Sequence, residues 1–245
     1  SKYHYHRIFK EETGDNFSDT LTSIRLQKAA NLLISNRLST ITEISINCGY
    51  TSHSSFIKAF KKRFHSTPSQ WRKGSYKEYT KQLLDEKDIK PLNLEATIKV
   101  NEEIHCAYIR HKGYNKNIKH TWERLRAFAY ELNINNFDEI GLHHDNPSIT
   151  PLEECRYVAA ISIPKDIEIK NRISTFTIPK SLCAVFKYKG KYGDIINLIR
   201  HIHHEWIEDK GYEITTLPSY VKYIKNHFID NDEFEIEINI PIKVI

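Results

Sequence analysis

Short hydrogen-bonding side chains and lysines are concentrated in one basic segment of the sequence. His53, Ser54 and Ser55 open this segment, and lysines follow them at helical spacing. Small polar side chains at the start of a helix can reach base edges in the major groove, whereas lysines further along bind the flanking phosphates. The segment therefore predicts a helix that binds duplex DNA through His53, Ser54, Ser55, Lys58, Lys61 and Lys62.

Two histidine clusters are the other candidates for chemistry. His201, His204 and Glu205 follow an i, i+3, i+4 spacing that suits a divalent metal, and residues 143–145 read His-His-Asp. Neither cluster supplies the four ligands of a structural zinc site, and solvated histidines on a helix face are the commoner case. The sequence also has no phosphate-binding loop, dinucleotide-binding loop or nucleophile motif. We therefore predict no metal, no cofactor and no catalytic residue.

The apolar spacing around the basic segment predicts the elements that position it. Apolar residues recur at helical spacing before Gly49, which tolerates the positive φ that a tight corner between two helices needs. Thr67 and Pro68 then read as a cap followed by proline at the start of a closing helix, which Trp71 anchors. The core-packing face of the basic helix is predicted to contain Phe56, Ala59, Phe60 and Phe64.

This arrangement, ITEIS...CGY..HSSFIKAFKKRF...TPSQWR, resembles the DNA-binding domain of AraC/XylS-type transcription regulators. Residues 1–14 are similar to the family's first recognition helix and residues 17–33 to its long linking helix, so the resemblance spans residues 1–74. It implies an all-α, homeodomain-like double helix-turn-helix domain. Carried over position by position, it implies base contacts by Tyr3, His6 and Arg7 in the first helix and by His53, Ser54, Ser55 and Lys58 in the second. Arg7 is the residue that we expect to bind guanine.

The sequence departs from the family at its start. In the family a scaffold helix precedes the first recognition helix, whereas this sequence opens at Ser1 with the recognition helix itself and contains no methionine. We therefore expect further residues before Ser1 in the complete protein. Without them, we expect Ile8 and Phe9 to lack packing partners and the affinity for DNA to be low.

Charge and composition support a division into two domains. Residues 1–74 carry 12 Lys and Arg against 5 Asp and Glu, whereas the remaining 171 residues carry 24 against 26. The positive charge therefore lies where DNA would bind. The four cysteines are widely spaced, without a CxxC pair, which favours a reducing cytoplasm. No apolar run approaches the roughly 20 residues of a membrane span, so we predict no membrane partner.

Residues 75–91 are polar and charged, and they predict a linker whose middle forms one or two helical turns. Beyond them, the sequence repeats itself. CAYIRHKGY at residues 106–114 aligns with CAVFKYKGK at residues 183–191. Each copy reads as a strand followed by an amphipathic helix and two further strands, so we predict an α+β domain built from duplicated strand-helix-strand-strand units over residues 92–245.

The repeat, together with the DNP..TP...CRY and GKYGDI...W...KGY patterns, resembles the GyrI-like effector-binding domain. The resemblance implies a small-molecule pocket in the groove between the two halves. Tyr and Trp are our candidates for its lining, because they stack on organic ligands while keeping a polar end, although aromatic residues at this spacing more often belong to a core. The candidates are Tyr108, Trp122, Tyr157, Tyr188, Trp206 and Tyr220, of which Trp206 is the one most expected to be core.

One position departs from the GyrI-like pattern. The resemblance implies a buried glutamate in a Pro-x-aromatic-Glu-x-Tyr pattern, which pairs with cationic ligands or serves in hydrolysis in some members. This chain reads LPSYVKYI there, with Val221 at the glutamate position. Because a cation that leaves water needs a compensating charge, this change favours a neutral or anionic ligand.

Taken as a whole, the sequence predicts a cytoplasmic regulator that is not an enzyme. Its predicted partners are double-stranded promoter DNA and a small-molecule effector, and contact with RNA polymerase stays open. One alternative is a small-molecule scavenger or hydrolase of GyrI-like type with a degraded DNA-binding region. Another is an architectural protein that binds DNA without a specific site, although base-reading side chains argue against it.

Overall fold

The computed structural model describes residues 2–81, 92, 94–167, 169, 173–191, 193–208, 210–226, 228–229 and 233–245. The chain divides into two units, Ser1–Tyr79 and Thr80–Ile245. Most of the predicted linker, residues 82–91, lies outside the described residues. None of the helices in the described ranges is both long enough and apolar enough to cross a bilayer.

The first unit is all helical, in agreement with the predicted fold class. Its helices are α1 (Lys2–Thr13), α2 (Phe17–Ser35), α3 (Ile41–Asn47), α4 (His53–Phe64) and α5 (Pro68–Gln70), followed by a π-helical turn (Trp71–Ser75) and α6 (Tyr76–Lys81). Gly74, at φ 118°, marks a kink inside the π-helical turn. Helix α6 corresponds to the helical turns that were predicted within the linker.

Side-chain caps fix where the helices of this unit begin. Thr40 accepts a hydrogen bond from the Glu43 backbone nitrogen at 3.1 Å, and the Glu43 carboxylate accepts one from the Thr40 nitrogen at 2.6 Å. Thr67 and Gln70 form the same reciprocal box at the start of α5. These contacts satisfy amide groups that the first helical turn leaves without partners, so each helix starts at a defined residue.

An aromatic cluster forms the core of the first unit. Phe56, Phe60 and Phe64 from α4 are buried, as predicted, and Trp71 is fully buried beside them. Its ring centroid lies 4.7 Å from that of Phe64 and 5.7 Å from that of Phe60. The Trp71 Nε1 donates a hydrogen bond to the carbonyl oxygen of Ala30 in α2 at 3.1 Å, so the indole joins three helical segments.

The second unit alternates strands with two helices. In chain order it contains β1 (Ala96–Asn101), β2 (Ile104–Lys112), α7 (Ile118–Glu131), β3 (Glu139–His143), β4 (Arg156–Ser162), β5 (Ser174–Ile178), β6 (Ser181–Lys191), α8 (Asp194–His201) with a π-helical turn (Ile202–Trp206), β7 (Tyr212–Ile214), β8 (Tyr220–Lys225) and β9 (Glu233–Val244). The predicted strand-helix-strand-strand repeat is confirmed as β2-α7-β3-β4 and β6-α8-β8-β9. Strands β1, β5 and β7 are additional.

The strands form one antiparallel sheet whose order shows the duplication. The order is β1-β6-β9-β8-β3-β4-β2-β5, and β7 pairs with β9. The two repeats meet where β8 pairs with β3, and each contributes three strands on its own side of that seam. The outer strands are exchanged: β1 precedes β2 in the chain but pairs with β6, and β5 precedes β6 but pairs with β2.

The chain connections require the sheet to curl strongly. β1 and β2 are six strand steps apart in the sheet, which would separate them by about 29 Å if it were flat. Yet only residues 102 and 103 join them, and the three residue steps from Asn101 to Ile104 span at most about 11 Å. The outer strands therefore approach each other around one face of the sheet, which we call the concave face.

Candidate DNA-reading surface and effector groove

Helix α4 presents the predicted DNA-reading side chains to solvent. His53 is its first residue, and Ser52 caps it by accepting a hydrogen bond from the Ser55 nitrogen at 3.3 Å. Because the three phenylalanines bury the opposite face, the helix is fixed with its polar face outward. The exposed residues on that face include all six predicted ones, His53, Ser54, Ser55, Lys58, Lys61 and Lys62.

The turn before α4 also has the predicted geometry. Gly49 adopts a φ of 84°, in the region that favours glycine. A Cβ at this position would lie 3.0 Å from Nε of Arg25, because the guanidinium of Arg25 packs directly against the turn. The glycine therefore allows both the backbone conformation and the close approach of α2.

Helix α1 positions its three predicted base-reading residues unequally. The Tyr3 side chain is 87% exposed. Arg7 is exposed as well, with its Nε 3.6 Å from Oε1 of Glu11. His6 instead packs edge-on against Phe17, with ring centroids 5.4 Å apart. Tyr3 and Arg7 are therefore the members of this set that project into solvent.

The apolar residues of α1 behave differently from one another. Ile8 is exposed, as expected. Phe9 stacks on Phe17 with ring centroids 5.2 Å apart, so the expectation that Phe9 lacks a packing partner was wrong. The reason is that the N-terminus of α2 folds back beside α1, which brings the Phe17 ring within reach.

Two of the predicted effector contacts, Tyr108 and Tyr220, lie on the concave face. Tyr108 is half-buried and packs against Phe176, with ring centroids 5.2 Å apart. Tyr220 is buried, and its hydroxyl accepts a hydrogen bond from Nδ2 of Asn101 at 2.8 Å. That contact crosses β6 and β9, and it therefore shows toward which face the sheet curls. Asn101 also donates to Oδ1 of Asn239 at 2.7 Å.

The buried polar groups of the concave face are neutral at pH 7. Burial raises the pKa of the Cys106 thiol to about 12 and that of the Tyr220 hydroxyl to about 12. Cys106 and Tyr220 belong to one apolar cluster with Ile140 and Val158. The inner part of this face is therefore an uncharged surface with a few hydrogen-bonding groups.

Trp122 and Tyr157 lie on the opposite face of the sheet, beneath α7. Both are fully buried, with ring centroids 6.4 Å apart. The Tyr157 hydroxyl donates to that of Tyr223 at 3.3 Å, and Tyr223 stacks edge-on against Trp122 at 5.6 Å. The structure thus places these two predicted contacts in an aromatic core between helix and sheet, away from Tyr108 and Tyr220.

Tyr188 and Trp206 belong to the second repeat. Trp206 packs edge-on against Phe186 with ring centroids 4.8 Å apart, and Tyr188 lies 5.9 Å from Phe234. Phe186 and Tyr188 share the face of β6 opposite to Val185 and Lys187, because successive strand residues alternate. The six aromatic candidates therefore occupy three places and do not line one cavity together.

Val221 takes part in apolar packing on the helix-covered face. It is buried, and in register it lies opposite Gly141 of β3 and Ile238 of β9. A carboxylate does occur on this face, on a residue that sequence reasoning missed. Glu139 is buried and accepts hydrogen bonds from Nε of Arg126 at 2.5 Å and from Nδ2 of Asn226 at 2.8 Å. Strand alternation around Ile140 was the signal that could have located it.

Gly141 makes the packing of the aromatic core possible. A Cβ there would lie 2.7 Å from the Tyr157 hydroxyl and 2.9 Å from Cε2 of Tyr223. We expect Gly141→Ala to lower the free energy of unfolding by about 1–3 kcal/mol, because two buried rings must shift. Denaturant unfolding followed by near-UV circular dichroism measures this. The cost should be smaller in a Tyr157→Phe background, and an unchanged free energy of unfolding for Gly141→Ala would contradict the packing.

The DNP..TP...CRY segment is a buried loop held by one ion pair. The Asp145 side chain is buried and accepts hydrogen bonds from the Arg156 backbone nitrogen at 2.8 Å and from Arg156 Nε at 2.7 Å, with a further contact to Nη2. Asn146 accepts from the nitrogen and the hydroxyl of Ser148 at 2.9 and 2.7 Å. These contacts explain why the pattern combines Asp-Asn with a distant Arg.

The histidine cluster of the second repeat is engaged in ion pairs. Nδ1 of His201 lies 2.7 Å from Oε2 of Glu205, and Nη1 of Arg200 donates to Oε1 of Glu205 at 2.6 Å. Within the described ranges, no group of three or more His, Cys, Asp or Glu side chains is arranged to hold a metal ion.

Comparison with known proteins gives the family of this chain. The sequence profile of the GyrI-like small molecule binding domain matches residues 94–243. The chain belongs to the GyrI-like family. A second profile, described as a helix-turn-helix domain, matches residues 1–74, ahead of the GyrI-like domain.

Curated relatives match the helix-turn-helix part of this GyrI-like chain. The xylose operon regulatory protein of Escherichia coli (strain K12) is 42% identical over 72 residues, which is 29% of this chain and 18% of that protein. The HTH-type transcriptional regulator GlxA of Rhizobium meliloti (strain 1021) is 41% identical over 75 residues, 31% of this chain and 23% of that protein. The predicted relationship to AraC-type regulators is confirmed, although the chain spans less than a quarter of these two relatives.

A solved structure shares the fold over most of the GyrI-like chain. It is titled "Cryo-EM structure of EcmrR-DNA complex in EcmrR-RPo", with a TM-score of 0.50 and 17% sequence identity, and the similarity covers 84% of this chain and 78% of that one. At this level of identity the similarity concerns the fold, an all-α helix-turn-helix region followed by an α+β domain.

Proposed function

We propose that this protein is a sequence-specific DNA-binding transcription regulator whose GyrI-like domain senses a small-molecule effector. The observation that carries the proposal is the geometry of α4, whose buried phenylalanines hold a polar and basic face toward solvent. A helix of this kind, preceded by a tight glycine turn, fits the major groove. The names of the curated relatives, a xylose operon regulatory protein and a transcriptional regulator, support the same function.

The proposal assigns domains and partners. Residues 1–74 form the DNA-binding domain, residues 75–91 the linker and residues 92–245 the effector domain, in keeping with the two profile matches. Promoter DNA in the cytoplasm is the first partner, and RNA polymerase is a proposed further one, since the solved relative's title names a DNA complex. No observation favours the scavenger or hydrolase alternative, and we assign no catalytic residue.

The proposed effector contacts are Tyr108 and Tyr220. These two share the concave face, whereas the other aromatic candidates pack in or beside cores under α7 and α8. A face formed by strands from both repeats, with an aromatic ring and a few neutral polar groups, is the usual character of a small-molecule site.

Selection of bound sequences from random duplex DNA tests the proposal. The full chain is incubated with the pool at near-physiological salt, with and without a small-molecule extract, and the enriched sequences are read. A defined, asymmetric sequence is expected, because two readers on one chain sit in successive major grooves. Failure to enrich any sequence would contradict the proposed regulator.

Two substitutions separate base reading from phosphate binding. We expect Arg7→Ala to relax the base preference at one position of the selected site, at a cost of about 1–3 kcal/mol against the preferred base. Lys61→Ala should weaken binding to all sequences alike and should reduce the salt dependence. Fluorescence anisotropy with single-base variants of the site measures both. Equal loss on all sequences for Arg7→Ala would show that Arg7 does not read a base.

A further inference from the structure

A row of cross-strand neighbours runs over the concave face from a charged end to an aromatic end. In register, Lys187 lies opposite Glu237, Glu237 opposite Lys222, Lys222 opposite Ile140, Ile140 opposite Ala160, and Ala160 opposite Tyr108. Side chains at paired positions point to the same face of a sheet. The row therefore joins both repeats across the seam between β8 and β3.

The charged end of the row is basic. Glu237 is shared by two lysines, with its carboxylate oxygens 3.8 Å from Nζ of Lys99 and 3.6 Å from Nζ of Lys187. Lys222, directly opposite Glu237, binds Oδ2 of Asp138 at 2.8 Å. Three ammonium groups thus face two carboxylates. The side chain of Lys187 is 80% exposed, so its ammonium group can turn toward a bound molecule at little cost.

The basic character of this end contrasts with its surroundings. Residues 75–245 carry 24 Lys and Arg against 26 Asp and Glu, so this part of the chain is slightly acidic as a whole. At the far end of the row, Arg110 adds a further positive charge, with its Nη2 donating to the Tyr108 hydroxyl at 3.2 Å and its guanidinium 5.5 Å from the ring centroid. The open surface of the concave face therefore attracts anions.

The middle of the row is apolar and low. Ile140 and Ala160 are fully buried and belong to one apolar cluster, on which the half-buried rings of Tyr108 and Phe176 pack. Three strand spacings separate Lys222 from Tyr108, which is about 14 Å along the sheet and less across its curl. This length suits an organic molecule with an apolar body and one charged end.

We propose that the concave face binds an amphipathic organic anion, whose carboxylate or comparable acid group pairs with Lys187 and Lys222 and whose apolar body packs on Tyr108. The inference rests on the proposed sensing function, for which it names the chemical class of effector. It is opposite in sign to recognition of lipophilic cations. The change from glutamate to Val221 is consistent with it, because no carboxylate at that position opposes an anion.

A matched series of ligands tests the sign of the charge. Isothermal titration calorimetry of the full chain with 4-phenylbutyrate, 4-phenylbutan-1-ol and 4-phenylbutylamine varies the charge on a constant body. We expect the carboxylate to bind about tenfold more tightly than the alcohol, and the amine to bind most weakly, because hydrogen bonds to charged groups are the stronger ones. Tighter binding of the amine, equal binding of all three or binding of none would overturn the proposal.

Variants locate the site. Lys187→Gln combined with Lys222→Gln should reduce the affinity for 4-phenylbutyrate to that of the alcohol and leave the alcohol unchanged. Lys116→Gln combined with Lys119→Gln removes the same charge from the region of α7, on the other side of the sheet, and should change little. Tyr108→Ala should weaken the carboxylate and the alcohol by the same factor. A loss of carboxylate binding in the α7 pair equal to that in the concave-face pair would overturn the proposed site.

The outcome is separable from that of the proposed function. DNA selection with the same protein tests the regulator without any of these ligands. If selection yields a defined sequence while the carboxylate shows no preference over the alcohol, the anion proposal fails and the regulator stands.

Discussion

Replacing Trp71 by alanine is expected to lower the free energy of unfolding of the helical unit by about 3–5 kcal/mol. The indole is fully buried, contacts Phe60 and Phe64 through its ring, and donates its one hydrogen bond to the carbonyl of Ala30. Removing it leaves a cavity where α2, α4 and the closing turn meet. Thermal unfolding followed by far-UV circular dichroism should show loss of the helical transition.

Trp71→Phe is the matched control. It keeps an aromatic ring among Phe60, Phe64 and Tyr79 but removes the hydrogen bond, and we expect a smaller loss that includes about 1 kcal/mol for the bond. DNA binding should follow helicity, because α4 is held through this core. A Trp71→Ala protein with wild-type stability would show that the indole is not the point where the helices join.

Arg156→Ala is expected to be the most damaging single change in the GyrI-like domain, at about 3–5 kcal/mol. It leaves the Asp145 carboxylate buried with only the Arg156 backbone nitrogen of the contacts it now shares with that residue. A buried charge without compensation is costly, and the loop from Asp145 to Thr150 would have to open to hydrate it. Urea unfolding measured by intrinsic fluorescence gives the change in free energy.

The double variant Asp145→Asn, Arg156→Met provides the comparison. It removes both charges together, so it should be less destabilised than Arg156→Ala alone, while Asp145→Asn alone leaves Arg156 without its carboxylate. If the double variant proved at least as unstable as the worse single one, the cost would lie in packing of the loop rather than in an uncompensated charge.

The helical unit was largely predictable because its determinants are local. The spacing of Phe56, Phe60 and Phe64 gives the buried face of α4, and the Thr67-Pro68 cap gives the start of the next helix. Which residues of α1 are exposed was less accessible. The placement of His6 and Phe9 against Phe17 depends on how α2 folds back, and no short pattern reports that.

The second unit was predicted in its repeat but not in its edges. Strand-helix-strand-strand units follow from local alternation and amphipathicity around Cys106 and Cys183. The pairing of β1 with β6 joins residues that are far apart in the chain, so nothing near β1 specifies its partner. Residue types also do not show on which side of a curled sheet a ring lies, which is why Tyr108 and Trp122 were grouped together.

The exchange of the outer strands makes each half of the GyrI-like domain self-complementary. Each half carries, before its own three strands, an extra strand shaped for the other half's edge. A half produced alone would therefore present both an unfilled edge and the strand that fills it, and two copies would satisfy each other as a symmetric, strand-swapped dimer. The single chain thus has the architecture expected of a homodimer whose two subunits became fused in tandem.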